Sequence, residues 1–259
     1  MRRVYGDGTC RSRCSPTRDT IAKIVLERRI AMTTLWPVNI CQHTFLPLLE
    51  RNSLVLDLGA NEGDFIRGIT NTFGCRIVSL EAMPHLAEAI ARHPRLSLFN
   101  EAIADKTGTI QINRYEKRCA SLFGPMDGET PVSVTTVKSV SLHDLIARER
   151  LGTIDLLKVD IEGAELGMFD AAPDADLLAC KQITVEFHEF LYPETHDHVE
   201  KVKARLETLG FQIVRYSLDN TDVLFVNPSA GVSQLTLLWH GTAVKYSRGI
   251  LRRLRRMLG

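Results

Sequence analysis

The amino-acid sequence predicts a single doubly wound α/β domain, and three observations lead there. From Ser53 onward, short β-branched or apolar runs alternate with helical stretches. That is the pattern of parallel βαβ units with helices on both faces of a sheet. The first run, Leu54–Leu58, passes directly into a glycine-bearing turn, Gly59-Ala60-Asn61-Glu62-Gly63, and then a helix. The last two runs are separated by about five residues that include Asp219 and Asn220, a hairpin spacing that turns the final strand antiparallel.

The elements follow in order. Residues 1–31 are polar, Arg-rich and weakly patterned; they are expected to form a poorly ordered basic arm, with a short helix near Thr20–Ile30, and Met32 offers a second start. The domain is expected over 32–228. Residues 36–51 look like a short amphipathic helix leading into the core. Strands are expected at Leu54–Leu58, Arg76–Leu80, Leu96–Phe99, Ile154–Val159, Gln182–Phe187, Phe211–Tyr216 and Asp222–Val226. Helices are expected at Gly63–Phe73, His85–Arg92, Leu142–Arg150, Glu165–Ala171 and His196–Leu209. One insertion breaks the alternation. Thr109–Tyr115 and Ser133–Val140 alternate like strands around a Gly/Pro-rich loop, Gly124–Pro131, and predict an extra β-hairpin covering one edge of the site. The outcome is a seven-stranded, mostly parallel sheet with an antiparallel last strand, the arrangement of Rossmann-like class I methyltransferases.

Charge is distributed unevenly although the whole chain of 259 residues carries only +1. Residues 1–30 carry +5 and residues 229–259 carry +6 with no acid, which leaves −10 for the middle. In 229–259, Leu235, Leu238, Tyr246, Ile250, Leu254 and Met257 recur at near-helical spacing beside Lys245, Arg248, Arg252, Arg253, Arg255 and Arg256. This predicts a basic amphipathic C-terminal helix. It either packs on the acidic body or lies on an anionic membrane surface as a peripheral contact. Six scattered cysteines include no two pairs at zinc-ligand spacing. With no apolar stretch after Arg2 and Arg3 and none long enough to span a bilayer, the expected location is cytoplasmic, peripheral on the inner membrane face if the tail binds lipid.

The turn after the first strand points to a nucleoside. Glycine lets backbone approach a ligand closely, and the following helix aims free N–H groups at the same place. Ala60 and Asn61 interrupt a full dinucleotide fingerprint, and Glu62 would repel a phosphate. A cationic nucleoside without phosphate, S-adenosylmethionine, suits this turn, with Asp57 near its charged end. Glu81 ends the second strand 24 residues later, where an acid accepts ribose hydroxyls. The bland alternative is a simple turn between solvated strand-end acids.

A second group of acids ends the next strands. Leu156–Glu165 reads LLKVDIEGAE, and Val185–Phe190 reads VEFHEF. Asp160 and Glu162 share a face in extended structure, and with Glu186 and His188 they converge on the carboxyl rim where open α/β sheets bind ligands. His188 is the best base by intrinsic pKa, with Glu162 or Asp160 orienting it or hydrogen-bonding an acceptor. Glu165 reads more simply as a helix N-terminal acid. A magnesium or manganese ion is the competing reading of this cluster; no metal is assigned.

Four stretches together, VLDLGANEGDF at 55–65, SLEAMP at 79–84, LLKVDIEGAE at 156–165 and VEFHEF at 185–190, resemble the FkbM family of S-adenosylmethionine-dependent methyltransferases. The segment NEAIADKTGTI at 100–110 looks like that family's stretch after the third strand. The resemblance covers roughly residues 53–227. It implies O-methylation of a saccharide, glycolipid or related natural product. It also implies cofactor roles for Asp57, Gly59, Asn61, Gly63 and Glu81, adenine contacts for Asn100 and Ala102, and acceptor-side roles for Asp160, Glu162 and His188. Ala82-Met83 departs from the family's usual turn. No Asn-Pro-Pro-Tyr motif follows the fourth strand and only 7% of residues are aromatic, which disfavours nucleic-acid partners. A nicotinamide oxidoreductase and a non-catalytic nucleoside-binding protein are the alternatives.

Overall fold

A computed structural model describes residues 36–115, 118–121, 133–190, 192–217 and 220–239. The basic arm at 1–31 and the Gly124–Pro131 loop lie outside them. Chain contacts separate Met1–Trp36 from Pro37–Gly259, and the fold described belongs to the second unit.

The chain enters through two short strands, β1 (Val38–Ile40) and β2 (His43–Phe45), which pair antiparallel with Val38 opposite Phe45. This corrects the helix expected over 36–51. Cys41 and Gln42 adopt positive φ, 49° and 68°, and reverse the chain; β-branched Val38, Ile40 and Thr44 favour extended backbone. Strands β3 (Leu54–Leu58), β4 (Arg76–Leu80) and β5 (Leu96–Phe99) alternate with helices α1 (Asp64–Thr72) and α2 (Pro84–Ala89). Next come β6 (Ala102–Ala104), β7 (Gly108–Tyr115), β8 (Arg118–Ser121) and β9 (Ser133–Ser141). They are followed by α3 (Leu142–Arg148), β10 (Leu156–Val159), α4 (Glu165–Ala171) and α5 (Asp174–Leu178). The chain continues through β11 (Gln182–Val185), α6 (His196–Thr208), β12 (Gln212–Arg215), β13 (Val223–Val226) and α7 (Gln234–Trp239).

The main sheet has seven strands in the order β12-β13-β11-β10-β3-β4-β5. All pairings are parallel except those of β13, which is antiparallel to both neighbours, so the expected sheet and its reversed last strand are present. Alternation sorts the side chains. Leu54, Leu56, Leu58, Leu157 and Val159 face one core layer with Leu145, Phe169 and Leu206 from the helices. Val55, Ile77 and Leu156 face the other, covered by Phe45, Phe65 and Ile69. At ~25 cal/mol per Å² of apolar burial, these two layers are the main source of stability.

The expected hairpin is part of a larger second sheet, β6-β9-β7-β8. β7 and β9 pair from Gly108–Ser139 to Arg114–Ser133. Met83, just past the end of β4, packs with Ala102, Ile112 and Val137, so this sheet supports the turn that follows Glu81. At the other end Leu237 is buried in the core, while Leu235, Leu238 and Trp239 are 79%, 64% and 52% exposed. Residues 240–259, most of the expected C-terminal helix, lie outside the described residues. No helix among the described residues is long and apolar enough to cross a membrane.

Candidate active site

A polar row crosses the buried sheet one residue short of its carboxyl edge. Ser79, Asp57, Lys158 and Thr184 are successive cross-strand partners, and each is at most 3% exposed. Ser79 Oγ donates to Asp57 Oδ2 at 2.8 Å. Lys158 Nζ lies 3.3 Å from Asp57 Oδ1 and 3.4 Å from Asp160 Oδ2, and donates to the carbonyls of Leu58 and Gly59. Burial opposes its charge, but the carboxylates of Asp57 and Asp160 outweigh burial and hold its pKa above the ordinary lysine value. Asp57 therefore reaches the rim only through Lys158 and the Gly59 turn. Asp57, expected near the charged end of the ligand, is itself fully buried.

The turn above this row can be built only with its glycine. Gly59 has φ of 86°, and a Cβ there would sit 1.8 Å from the carbonyl oxygen of Asp160; the two strand-end loops touch backbone to backbone. Asn61 has φ of 50°, and Gly63, φ 78°, caps α1. Glu81, 6% exposed, accepts the N–H of Asn61 at 2.7 Å through Oε2 and that of Met83 at 2.8 Å through Oε1. Burial raises its pKa, and these two N–H groups partly offset that. The Asn100 amide donates to the carbonyls of Glu81 at 2.8 Å and Ala82 at 3.0 Å, and Ala102 is buried behind Met83. Of the seven residues expected to hold the nucleoside, Gly59, Asn61, Gly63, Glu81 and Asn100 thus stand in the loops that follow β3, β4 and β5, while Asp57 is buried beneath the Gly59 turn and Ala102 behind Met83.

On the other side of Gly59, the acids gather around an imidazole. His188 opens a 3-10 turn (His188–Phe190) just past β11. Its Nδ1 lies 2.9 Å from Glu165 Oε1, and its Nε2 lies 3.4 Å from Glu162 Oε2 and 3.9 Å from Asp160 Oδ1. Burial alone would lower the pKa of His188. The hydrogen bond to Glu165 and the charges of Glu165, Glu162 and Asp160 reverse this and push it up to about 9. His188, expected as the best base by its intrinsic pKa, thus has carboxylate neighbours that favour its protonated form near neutrality. Asp160 moves the other way: burial is overcome by Lys158, His43 and His188, which hold it well below the usual carboxylate range. Glu186 is pushed up to about 7 by burial and by Asp160, Glu162 and Glu165.

Two members of this group, His43 and Lys158, were not singled out from sequence, and a third, Glu165, has more partners than expected. Glu165, expected as a helix-terminal acid, is 2% exposed; besides His188 it accepts the N–H groups of Ile161 and Gly163, fixing the loop that carries Glu162, φ 51°. His43 is fully buried, with Nε2 3.4 Å from Asp160 Oδ2 and its ring edge-on to Phe65. Its strand is docked by Thr44 N–H to Asp222 at 2.9 Å and Leu46 N–H to Gln182 at 2.8 Å. Lys158 is the other residue missed. A lysine in the middle of an apolar run, in register with an aspartate on the neighbouring strand, was the one signal available.

The Methyltransferase FkbM domain matches residues 57–213, a span that contains both the Gly59–Glu81 turns and the acids around His188. No curated protein matches the sequence. Among solved structures, human methyltransferase-like protein 13 bound to SAH is similar at 13% identity, covering 77% of this chain and 86% of that one, with a TM-score of 0.42. The Methanococcus jannaschii fibrillarin pre-rRNA processing protein is similar at 13% identity, covering 77% and 73%, with a TM-score of 0.39. A Pyrococcus furiosus methyltransferase is similar at 12% identity, covering 78% and 81%, with a TM-score of 0.35. On the strength of the domain match, which takes in more than half of the chain, this protein belongs to the FkbM methyltransferase family.

Proposed function

We propose that this methyltransferase uses S-adenosylmethionine to methylate a hydroxyl group of a saccharide, glycolipid or related natural product. One observation carries the reading: His188 and the carboxylates of Asp160, Glu162 and Glu165 stand together beside the Gly59 turn. Carboxylates accept hydrogen bonds from several hydroxyls at once and repel phosphate. Such a wall suits a neutral polyol better than a nucleic acid.

The donor-side residues fit the cofactor. Lys158, the cation beneath the turn, is committed to Asp57 and Asp160 and cannot serve a phosphate, while Glu62 stands exposed at the turn. Gly59, Asn61 and Gly63 would admit the amino-acid end, Glu81 the ribose, and Asn100 with Ala102 the adenine. When bound, S-adenosylmethionine supplies an electrophilic methyl on a cationic sulfur. Asp160, Glu162 and His188 would hold the acceptor in line. Lys158 and the His188 cation already neutralise Asp160, so we assign no metal. We also assign the tail beyond α7 a peripheral contact with anionic lipid, which would bring the enzyme to a lipid-linked acceptor.

The test is transfer of a labelled methyl group to extracted glycan and lipid fractions. Label in a base-stable ether, unaffected by a chelator, is the expected result. Label confined to nitrogen or to an ester would overturn the hydroxyl reading, and loss of activity restored by magnesium would overturn the metal-free one.

A further inference from the structure

Methylation of a hydroxyl releases a proton, and the structure points to where it goes. We propose that Glu186 is the group that takes the acceptor's proton, an inference that rests on the hydroxyl-methylating reading above.

Placement is the first argument. The Glu186 N–H is bonded to the carbonyl of Val159 at 3.0 Å, which fixes the residue at the carboxyl edge beside Asp160. A carboxylate oxygen of Glu186, a ring nitrogen of His43 and an oxygen of Asp160 lie within 4.8 Å of one another. Glu186 is half-buried, so it is both fixed and reachable.

Availability is the second. Of the four carboxylates in this cluster, three are engaged. Asp160 is held by Lys158 and His43, Glu162 by His188, and Glu165 by His188 and two backbone N–H groups. The Glu186 carboxylate alone makes no hydrogen bond or ion pair among the described residues. It is the one carboxylate of the four with both oxygens unengaged among the described residues, so either can turn to an incoming hydroxyl.

Proton affinity is the third. The groups facing Glu186 are Asp160 at the end of β10, Glu162 and Glu165 from the α4 entry, His188 on its own turn and His43 from β2. Burial and the acids outweigh His188 and leave Glu186 at about 7. His188, at about 9, already carries its proton at neutral pH. Asp160 is too weak a base. A general base works best when its pKa lies near the working pH. In the step itself, an oxygen lone pair of the acceptor forms the new O–CH3 bond. The S–CH3 bond breaks with its electron pair left on sulfur, and the hydroxyl proton passes to a Glu186 oxygen. The carboxyl then returns it to water.

Two readouts test this. In protein carrying 13C at the glutamate δ-carbon, the resonance absent from Glu186→Gln should titrate with a midpoint near 7, in the full chain without acceptor. Glu186→Gln should lower kcat at neutral pH by ~10²-fold or more while leaving S-adenosylmethionine affinity by calorimetry within about twofold. Glu186→Asp should keep a titrating carboxyl and part of the rate, which separates the proposal from misfolding. A midpoint near the ordinary 4.5, or a Gln variant as fast as the parent, overturns it. Failure of the parent to methylate any hydroxyl overturns the function itself and is seen before any variant is made.

Discussion

Glu165 and His188 form the tightest contact in the acid cluster: Oε1 lies 2.9 Å from Nδ1, and both side chains are at most 6% exposed. In that geometry the carboxylate accepts the Nδ1–H, orients the ring, and stabilises its charged form. Removing the carboxylate charge with Glu165→Gln should bring His188 down from about 9 toward its ordinary 6.5, read by NMR titration of the ring proton. A shift smaller than about half a unit would show that Glu162 and Asp160 alone set the value.

The same contact gives stability a pH dependence whose sign is fixed. The folded-state pKa of His188 exceeds the unfolded one, so folding binds its proton more tightly. This contribution is complete below pH 6.5 and disappears as pH rises through about 9. The melting temperature should fall across that window, and His188→Gln should flatten the fall. A parent protein whose melting temperature rises from pH 6.5 to 9 would contradict the assignment.

Much of this arrangement was legible in the sequence. Leu54–Leu58, Arg76–Leu80 and Leu96–Phe99 fall where their apolar runs fall, because a buried parallel strand must be apolar on both faces. The positions of Gly59 and Glu81 followed from the turn and the strand end. What stayed hidden depended on contacts distant in sequence. His43 meets Asp160 across 117 positions, brought there by a hairpin whose apolar spacing imitates a helix. The ion pair of Lys158 depends on strand register, and the role of Glu165 on a turn that tilts His188 off the end of its strand.

Loss of Lys158 should damage the fold. Lys158→Met preserves much of the volume but strands the Asp57 carboxylate in the interior and frees the Gly59 carbonyl. Breaking one side of a buried ion pair costs ~3–5 kcal/mol, read as a lower urea midpoint at unchanged slope. A cost under about 1 kcal/mol would mean that Asp57 can be accommodated without its partner.

Glu81 supports the turn and, in the function proposed above, the ribose. Its carboxylate already fixes the Asn61 and Met83 N–H groups, and the proposed function uses its remaining lone pairs for ribose hydroxyls. Glu81→Ala should weaken S-adenosylmethionine binding by ~1–3 kcal/mol in calorimetry, the scale of lost charge-assisted hydrogen bonds. The parent should show no binding of NAD. Unchanged affinity in the variant would remove Glu81 from the ribose site.

The C-terminal segment gives the last prediction. Helix α7 buries Leu237 in the core but leaves Leu235, Leu238 and Trp239 exposed, and the following residues bring six basic side chains and no acid. Apolar side chains beside such charge suit the interface of an anionic bilayer. Each basic residue contributes about 1 kcal/mol there, weakening with salt. The alternative, a tail folded back on the acidic body, would neutralise the same charges internally. Co-sedimentation with vesicles separates the two. Membrane contact predicts pelleting with anionic but not neutral vesicles, reversed by salt and lost on truncation after Trp239. That cut removes the charges yet keeps Leu237 in its packing site. Replacing Leu235 and Leu238 with serine should weaken pelleting while leaving the salt response, because the charges remain. A full chain that stays in the supernatant with anionic vesicles at low salt would leave the tail to the body of the protein.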